Sequence, residues 1–255
     1  MEQSNTSLGV VSILEKTIRS HPLFYIIIRS LIRFTSIFEK DFDGLKIINF
    51  KDKINIIDVG ASDGISAKFF LNNLKVNKII CFEPNKKYVK ILKKIKGRNI
   101  IVKPYALGNK ISVQNIYFPR YKFFNKYYDI ITYTHYDKRL INHYIKDFKY
   151  RKNLKIIKQK IHIKKMGFLK KKIHLIKIDT NGYEFSVILG LKKLIKRDKP
   201  VIILELNKDE KKIAKVLKKF KYMGYYYSSY RKKFLKQKQK HTSNKYFLHH
   251  THFFN

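Results

Sequence analysis

Four acids in this chain stand where acids do chemistry. Asp58 closes the run Ile54-Asn55-Ile56-Ile57 and is followed by Val59-Gly60-Ala61-Ser62-Asp63-Gly64. Glu83 follows Lys78-Ile79-Ile80-Cys81-Phe82, Asp179 follows Leu175-Ile176-Lys177-Ile178, and Glu205 follows Val201-Ile202-Ile203-Leu204. Each apolar run is too short for a helix and rich in branched residues, so each reads as a buried strand of a parallel sheet. The C-terminal ends of such strands line the ligand crevice. The chain holds only 18 Asp and Glu in 255 residues, and scattered solvated carboxylates would show no preference for strand ends. The pattern points to a nucleoside-type ligand and to a reaction beside it.

Each candidate has a physical rationale. A glycine turn that opens a helix brings backbone N–H groups and the positive end of the helix dipole toward a ligand. The spacing Gly60-x-x-x-Gly64 lacks the full G-x-G-x-x-G of dinucleotide binders. Glu83, about 20 positions further on, is placed to accept hydrogen bonds from both hydroxyls of a ribose. Alternatively it caps the helix that Asn85 opens, and the scarcity of acids favours the ribose. In Pro104-Tyr105-Ala106-Leu107-Gly108-Asn109, Tyr105 would stack on a flat base and Ala106 would leave room for it, unless the segment is an ordinary turn. Finally, Asp179-Thr180-Asn181-Gly182-Tyr183-Glu184 repeats the arrangement of strand, acid, glycine and helix start.

These residues need a scaffold. Helical periodicity follows the glycine turn over 65–74, continues through Tyr88, Ile91, Leu92 and Ile95 to a C-cap at Gly97, and returns at Val187, Ile188, Leu191 and Leu194. A last helix holds Ile213, Val216, Leu217 and Phe220. Tyr225–Tyr230 and Ser243–His249 read as two final strands, the second antiparallel. The expected architecture is α/β, a Rossmann-like sheet of seven mostly parallel strands with helices on both faces. Residues 1–45 read as a helical extension whose stripe Phe24, Ile28, Leu31 and Phe38 packs onto the main domain. Residues 46–255 form that domain, with 110–172 as a variable insert on the substrate side.

Composition narrows the classes. The formal net charge is +39. An AT-biased coding sequence would inflate lysine together with Ile, Asn, Tyr and Phe, and this is the favoured explanation. It does not account for Phe148–Ile178, which contains no acid at all; such a surface attracts anionic substrates or surfaces. The lone Cys81 excludes a disulfide framework and a cysteine zinc site, and fits a reducing, cytoplasmic setting. There is no signal-peptide pattern and no apolar run long enough to span a bilayer.

Taken in order, Ile57-Asp58-Val59-Gly60-Ala61-Ser62-x-Gly64, Phe82-Glu83-Pro84, Ala106-Leu107-Gly108-Asn109 and Leu175-Ile176-Lys177-Ile178-Asp179-x-x-Gly182-x-Glu184 resemble the FkbM-type methyltransferases. The resemblance runs from about residue 45 to the end and includes Gly224-Tyr225 and Asn244-Lys245-Tyr246-Phe247. It implies a class I methyltransferase fold, S-adenosylmethionine as cofactor, and O-methylation of a hydroxyl on a sugar, glycan or secondary metabolite. Ser62 departs from the Asn usual in the family, and 161–168 lacks its frequent Leu-Asp.

On that resemblance, the cofactor-binding set is Asp58, Gly60, Ala61, Ser62, Gly64, Glu83, Tyr105 and Ala106. The glycines would let backbone approach the amino-acid part of the cofactor, and Asp58 would bond near its ammonium group. Methyl transfer needs the acceptor oxygen, methyl carbon and sulfur in line, and a base on the hydroxyl adds roughly 10²–10⁴-fold. Asp179 is the candidate base, with Glu184 as its orienting partner. A cation shared by Asp179 and Glu205 is not demanded by the spacing. Two rivals remain. A nucleic-acid methyltransferase would use the basic surface but lacks an Asn/Asp-Pro-Pro-aromatic motif. A non-catalytic domain binding a polyanion or membrane would have no reason to keep an intact crevice.

Overall fold

The computed structural model describes residues 21–35, 40–95, 99–238 and 242–252. The proposed cap at Gly97 and the stripe residue Phe38 lie outside them. The described residues divide into two compact units, the larger drawn from 40–114 and 161–252, the other from 21–35 and 115–160.

The larger unit holds an eight-stranded sheet. Its strands are β1 (Ile54–Val59), β2 (Val76–Phe82), β3 (Ile100–Lys103), β8 (Leu175–Ile178), β9 (Val201–Glu205), β10 (Tyr222–Ser228), β11 (Lys233–Leu235) and β12 (Asn244–His249). Their order is β11-β10-β12-β9-β8-β1-β2-β3. The pairs among β3, β2, β1, β8 and β9 are parallel, whereas β12 pairs antiparallel with both β9 and β10. Seven strands follow the expected doubly wound plan. The eighth, β11, returns antiparallel along β10; its Phe234-Leu235 is so short and so flanked by Lys and Arg that no strand signal stands out.

Alternation along the strands builds two apolar layers, as a period of two requires. Ile57, Val59, Ile80, Phe82, Ile176, Ile178, Ile202 and Leu204 pack with Val187, Ile188, Leu191 and Ile195 of helix α5 (Glu184–Asp198) and with Ile213 and Leu217 of α6 (Glu210–Lys218). Ile54, Ile56, Ile79, Cys81, Leu175, Val201 and Ile203 face Ala67, Phe69 and Phe70 of α2 (Ile65–Asn73) and Leu92 of α3 (Lys86–Leu92). Helices therefore cover both faces. Cys81 is buried, and burial pushes its thiol far above the ordinary value, so it is chemically quiet. Within this unit β4 (Ala106–Leu107) pairs in parallel with Ile163-Lys164.

The smaller unit holds a helix of the N-terminal segment and most of the middle of the chain. Helix α1 (Pro22–Thr35) turns Leu23 and Ile26 onto a cluster of Tyr121, Ile130, Ile141, Ile145 and Phe148. The expected stripe is not the packed side: Phe24 is 60% and Leu31 56% exposed. Strand β5 (Ser112–Phe123) forms a hairpin with β6 (Lys126–Asp129), followed by α4 (Lys138–Tyr144) and β7 (Leu154–Lys164). A second sheet has the order β4-β7-β5-β6. Strand β7 escapes a reading of the sequence because Lys155, Lys158 and Lys160 interrupt its apolar residues. Among the described residues no helix is long and apolar enough to cross a membrane.

Candidate active site

The four strand-end acids do lie on neighbouring strands, but they divide into different jobs. Glu83 ends β2 with both carboxylate oxygens braced by backbone. Oε2 accepts from the Ser62 N–H at 2.8 Å and Oε1 from the Asn85 N–H at 2.7 Å. The helix cap is Asn85, whose Oδ1 accepts from the Lys87 N–H at 2.9 Å, so Glu83 is not held there as a cap. Glu83 is buried, and burial pushes its carboxyl up to about 7 against the bonds from Asn85 and Ser62. Each oxygen keeps a lone pair for a hydroxyl donor. Beside it, the buried Asn85 Nδ2 has no hydrogen-bond partner among the described residues.

The glycine turn is organised differently from the expectation. The Gly60 and Ala61 N–H groups both donate to the Phe82 carbonyl, at 2.9 and 3.3 Å, and the Gly64 N–H donates to the Ala61 carbonyl at 2.9 Å. These three donors are engaged within the turn and by the end of β2. Ala61 is buried in the apolar layer beneath. Glycine is required by packing: a Cβ on Gly60 would meet the Asp179 carbonyl oxygen at 1.7 Å, and one on Gly64 would meet Ile95 Cδ1 at 2.3 Å. Both glycines also have positive φ, 74° and 83°. Ser62 has φ 50°, a left-handed conformation in which Asn is more at ease, which gives a physical reason for Asn at this turn.

Asp58 is fully buried. Its Oδ2 accepts from Ser66 Oγ at 2.6 Å, and Oδ1 lies 3.4 Å from Lys177 Nζ without a hydrogen bond. Lys177 is the functional residue that reading the acids alone misses. A lysine inside the otherwise apolar Leu175-Ile176-Lys177-Ile178 was the available signal. The parallel register sets Lys177 opposite Asp58. Its ammonium donates to the Gly60 carbonyl at 2.8 Å and lies 3.3 Å from Asp179 Oδ2. Burial would lower its pKa, but Asp179, Asp58 and Glu205 together outweigh burial and hold it above the ordinary value.

Asp179 is the open member of the group, with its side chain 37% exposed. Glu184, by contrast, is fully buried and spent on the turn. Its Oε1 accepts from the Thr180 N–H at 2.8 Å and Thr180 Oγ1 at 3.0 Å. Both its oxygens take the Gly182 N–H at 3.0 Å, and Oε2 takes Asn207 Nδ2 at 2.7 Å. These bonds brace the backbone of 180–182, the turn that follows Asp179. Tyr105 packs edge-on against Phe82 at 5.6 Å with Lys164 Nζ 4.9 Å from its ring centroid, and Ala106 is buried in β4. Among the described residues no group of three or more His, Cys, Asp or Glu is placed to hold a metal ion.

The family model for the methyltransferase FkbM domain matches residues 58–227, from the first of these acids to the end of the sheet's parallel half and beyond. The chain belongs to the FkbM methyltransferase family. No curated protein matches the sequence. Among solved structures, this FkbM-family chain is similar to the methyltransferase FkbM of Methylobacillus flagellatus KT, with TM-score 0.47 and 14% identity over 79% of this chain and 45% of that one. It thus spans less than half of that protein's length. Others are the plantazolicin methyltransferase BpumL in complex with SAH (TM-score 0.42, 9% identity, 86% and 85% covered) and precorrin-6y C5,15-methyltransferase of Geobacter metallireducens GS-15 (TM-score 0.39, 14% identity, 82% and 84% covered).

Proposed function

We propose that this FkbM-family chain moves a methyl group from S-adenosylmethionine to a hydroxyl oxygen of a sugar, glycan or secondary metabolite. The observation that carries the reading is the end of β2. A buried carboxylate with lone pairs to spare stands next to a buried amide donor, Asn85 Nδ2, that has no partner among the described residues. Unsatisfied buried donors are rare and call for an explanation. A ribose offers hydroxyl hydrogens to Glu83 and an oxygen to Asn85, so the residues present fit an adenosyl group.

When bound, S-adenosylmethionine supplies an electrophilic methyl on a positively charged sulfur. The chain's own work is then positioning and proton handling. Glu83 and Asn85 would hold the ribose, with Tyr105 and Ala106, at the start of β4, beside the base. The Gly60–Gly64 turn sets the position of Glu83 through the Ser62 N–H. Asp179 would accept the hydroxyl proton as that bond breaks, and Glu184 braces the turn that follows it. The reaction site belongs to the cytoplasmic, small-molecule class, and the lysine-rich face would draw in an acidic acceptor.

The test is calorimetric titration with S-adenosylhomocysteine, on the native chain and on Glu83→Ala. Saturable binding that the variant loses by about 10-fold or more supports the reading, because hydrogen bonds to a charged group are worth about 1.5–3 kcal/mol. A folded native chain that does not bind would overturn it.

A further inference from the structure

We propose that the outer face of α1, together with the segment around Tyr150, is a docking surface for an anionic membrane, on which the helix lies without crossing it. The inference stands apart from the methyl-transfer reading and uses no residue assigned to it.

Helix α1 is apolar on two sides. Leu23 and Ile26 pack on the cluster of Tyr121, Ile130, Ile141, Ile145 and Phe148, which accounts for the inner side. Phe24, Ile27 and Leu31, spaced by three and four residues, form a second stripe that is 60%, 48% and 56% exposed. A helix on the surface of a water-surrounded unit needs one apolar stripe and a polar face opposite. The fold uses the first stripe, and the second calls for cover from outside.

The outer stripe continues into another element. His21 meets the Phe24 ring edge-on at 5.9 Å and the Tyr150 ring edge-on at 6.2 Å, so the two rings flank one imidazole. Tyr150 is 53% exposed and has φ 52°, a left-handed conformation that a bulky residue adopts only where its surroundings impose it. Strain kept at an exposed aromatic favours a functional reading over a packing one.

Charge selects the occupant. Lys149 Nζ lies 5.9 Å from the Tyr150 ring centroid, and Lys149, Arg151 and Lys152 are all exposed. The segment 115–160 holds 12 Lys and Arg against 3 Asp and Glu. Two of those acids, Asp129 and Asp137, are paired with Arg120 and Arg139, and the third is Asp147. A protein partner would need an acidic rim shaped around an apolar centre. A bilayer with anionic lipid supplies both, phosphates for the cations and an apolar interior for Phe24 and Ile27. Tyrosine suits the boundary, since its ring is apolar and its hydroxyl wet. The 14 residues of α1 measure about 21 Å, short of the roughly 30 Å hydrocarbon core, so the helix lies in the plane of the interface.

Co-sedimentation of the full chain with vesicles tests the surface. One set is phosphatidylcholine alone and the other contains about 30% phosphatidylserine, each at about 0.15 M and about 0.5 M salt. The expected result is binding to the anionic vesicles only, retained in part at the higher salt. Phe24→Ser/Ile27→Ser, which changes no charge, should weaken it by about 10-fold or more with thermal unfolding unchanged, because neither side chain is in the packed cluster. Tyr150→Ser is a second apolar variant, with an expected loss of about 5-fold, and decides the matter if the first lowers stability. Binding of RNA or inorganic polyphosphate, which offer phosphate without an apolar interior, should be the same in these variants and the native chain. Vesicle binding that both variants keep in full is attraction of a basic chain to any polyanion and overturns the proposal. An equal loss of RNA or polyphosphate binding overturns it as well. So does a mass that doubles with concentration in the native chain alone while vesicle binding is unchanged by the variants, which assigns the face to a second copy of the chain.

Discussion

Gly60 and Asp179 meet backbone to backbone: a Cβ on Gly60 would stand 1.7 Å from the Asp179 carbonyl oxygen and 2.8 Å from its carbonyl carbon. The turn after β1 and the turn after β8 are thus seated on each other, and Lys177 ties them a second time through the Gly60 carbonyl. The positions of Glu83, held by Ser62, and of Asp179 are therefore coupled through one contact.

Gly60→Ala should be severe. The neighbour is main chain, which cannot swing aside, and φ is positive. Overpacking and a left-handed non-glycine residue together predict a loss of about 3 kcal/mol or more in urea unfolding. Gly167→Ala is the control. Nothing lies within 4 Å of its Cβ position, and its midpoint should move by less than about 0.5 kcal/mol. Equal effects at the two positions would refute the close contact.

Ligand binding at Glu83 should depend on pH in a defined direction. Burial raises its carboxyl to about 7, and only the ionised form has every lone pair available to hydroxyl donors. Affinity for S-adenosylhomocysteine should therefore rise from slightly acid to slightly alkaline pH, and Glu83→Gln should flatten the change. The stability term has the opposite sign. A folded-state value above the unfolded one gives stability that is present below the unfolded value and is lost as pH rises through about 7. Titration calorimetry and thermal unfolding across that window check both signs.

Glu184 should behave as a brace. Removing it strands the Thr180 and Gly182 N–H groups and Asn207 Nδ2, so Glu184→Ala should lose about 3 kcal/mol or more. Glu184→Gln keeps one acceptor but turns a donor toward other donors, and should lose about 1–3 kcal/mol. Neither change should shift the pH at which turnover is half-maximal; a shift would make Glu184 part of the proton chemistry.

The parallel half of the sheet was legible because buried strands with helices between them leave uninterrupted branched runs, as in Ile54–Val59 and Val201–Leu204. The acids at their ends were legible for the same reason. What they do was not. Whether a glycine serves a ligand or a neighbouring backbone depends on a contact about 120 residues away, as at Gly60. Lys177 hid in a strand because two of its partners, Asp58 and Gly60, lie about 120 residues earlier in the chain. In β7 and β11 lysines interrupt the apolar residues, so periodicity gives no clear strand. The exposed Phe24 and Leu31 of α1 show that a helical stripe in sequence need not be the packed face, since Leu23 and Ile26 take that place.

The Asp58–Lys177 pair offers the clearest energetic test. Both side chains are sealed from water, and among the described residues Asp58 Oδ1 has no hydrogen bond, only the ammonium at 3.4 Å. Breaking a buried pair by removing one partner leaves an uncompensated charge and typically loses about 3–5 kcal/mol. Lys177→Met should fall in that range, since it strands Asp58 and also withdraws the bond to the Gly60 carbonyl. Asp58→Asn removes the charge but keeps an acceptor for Ser66, so the double variant should be more stable than Lys177→Met alone. A double-mutant cycle by denaturant unfolding measures the coupling. Strict additivity would mean that Lys177 is held by Asp179 and the Gly60 carbonyl alone, and that Asp58 only caps Ser66.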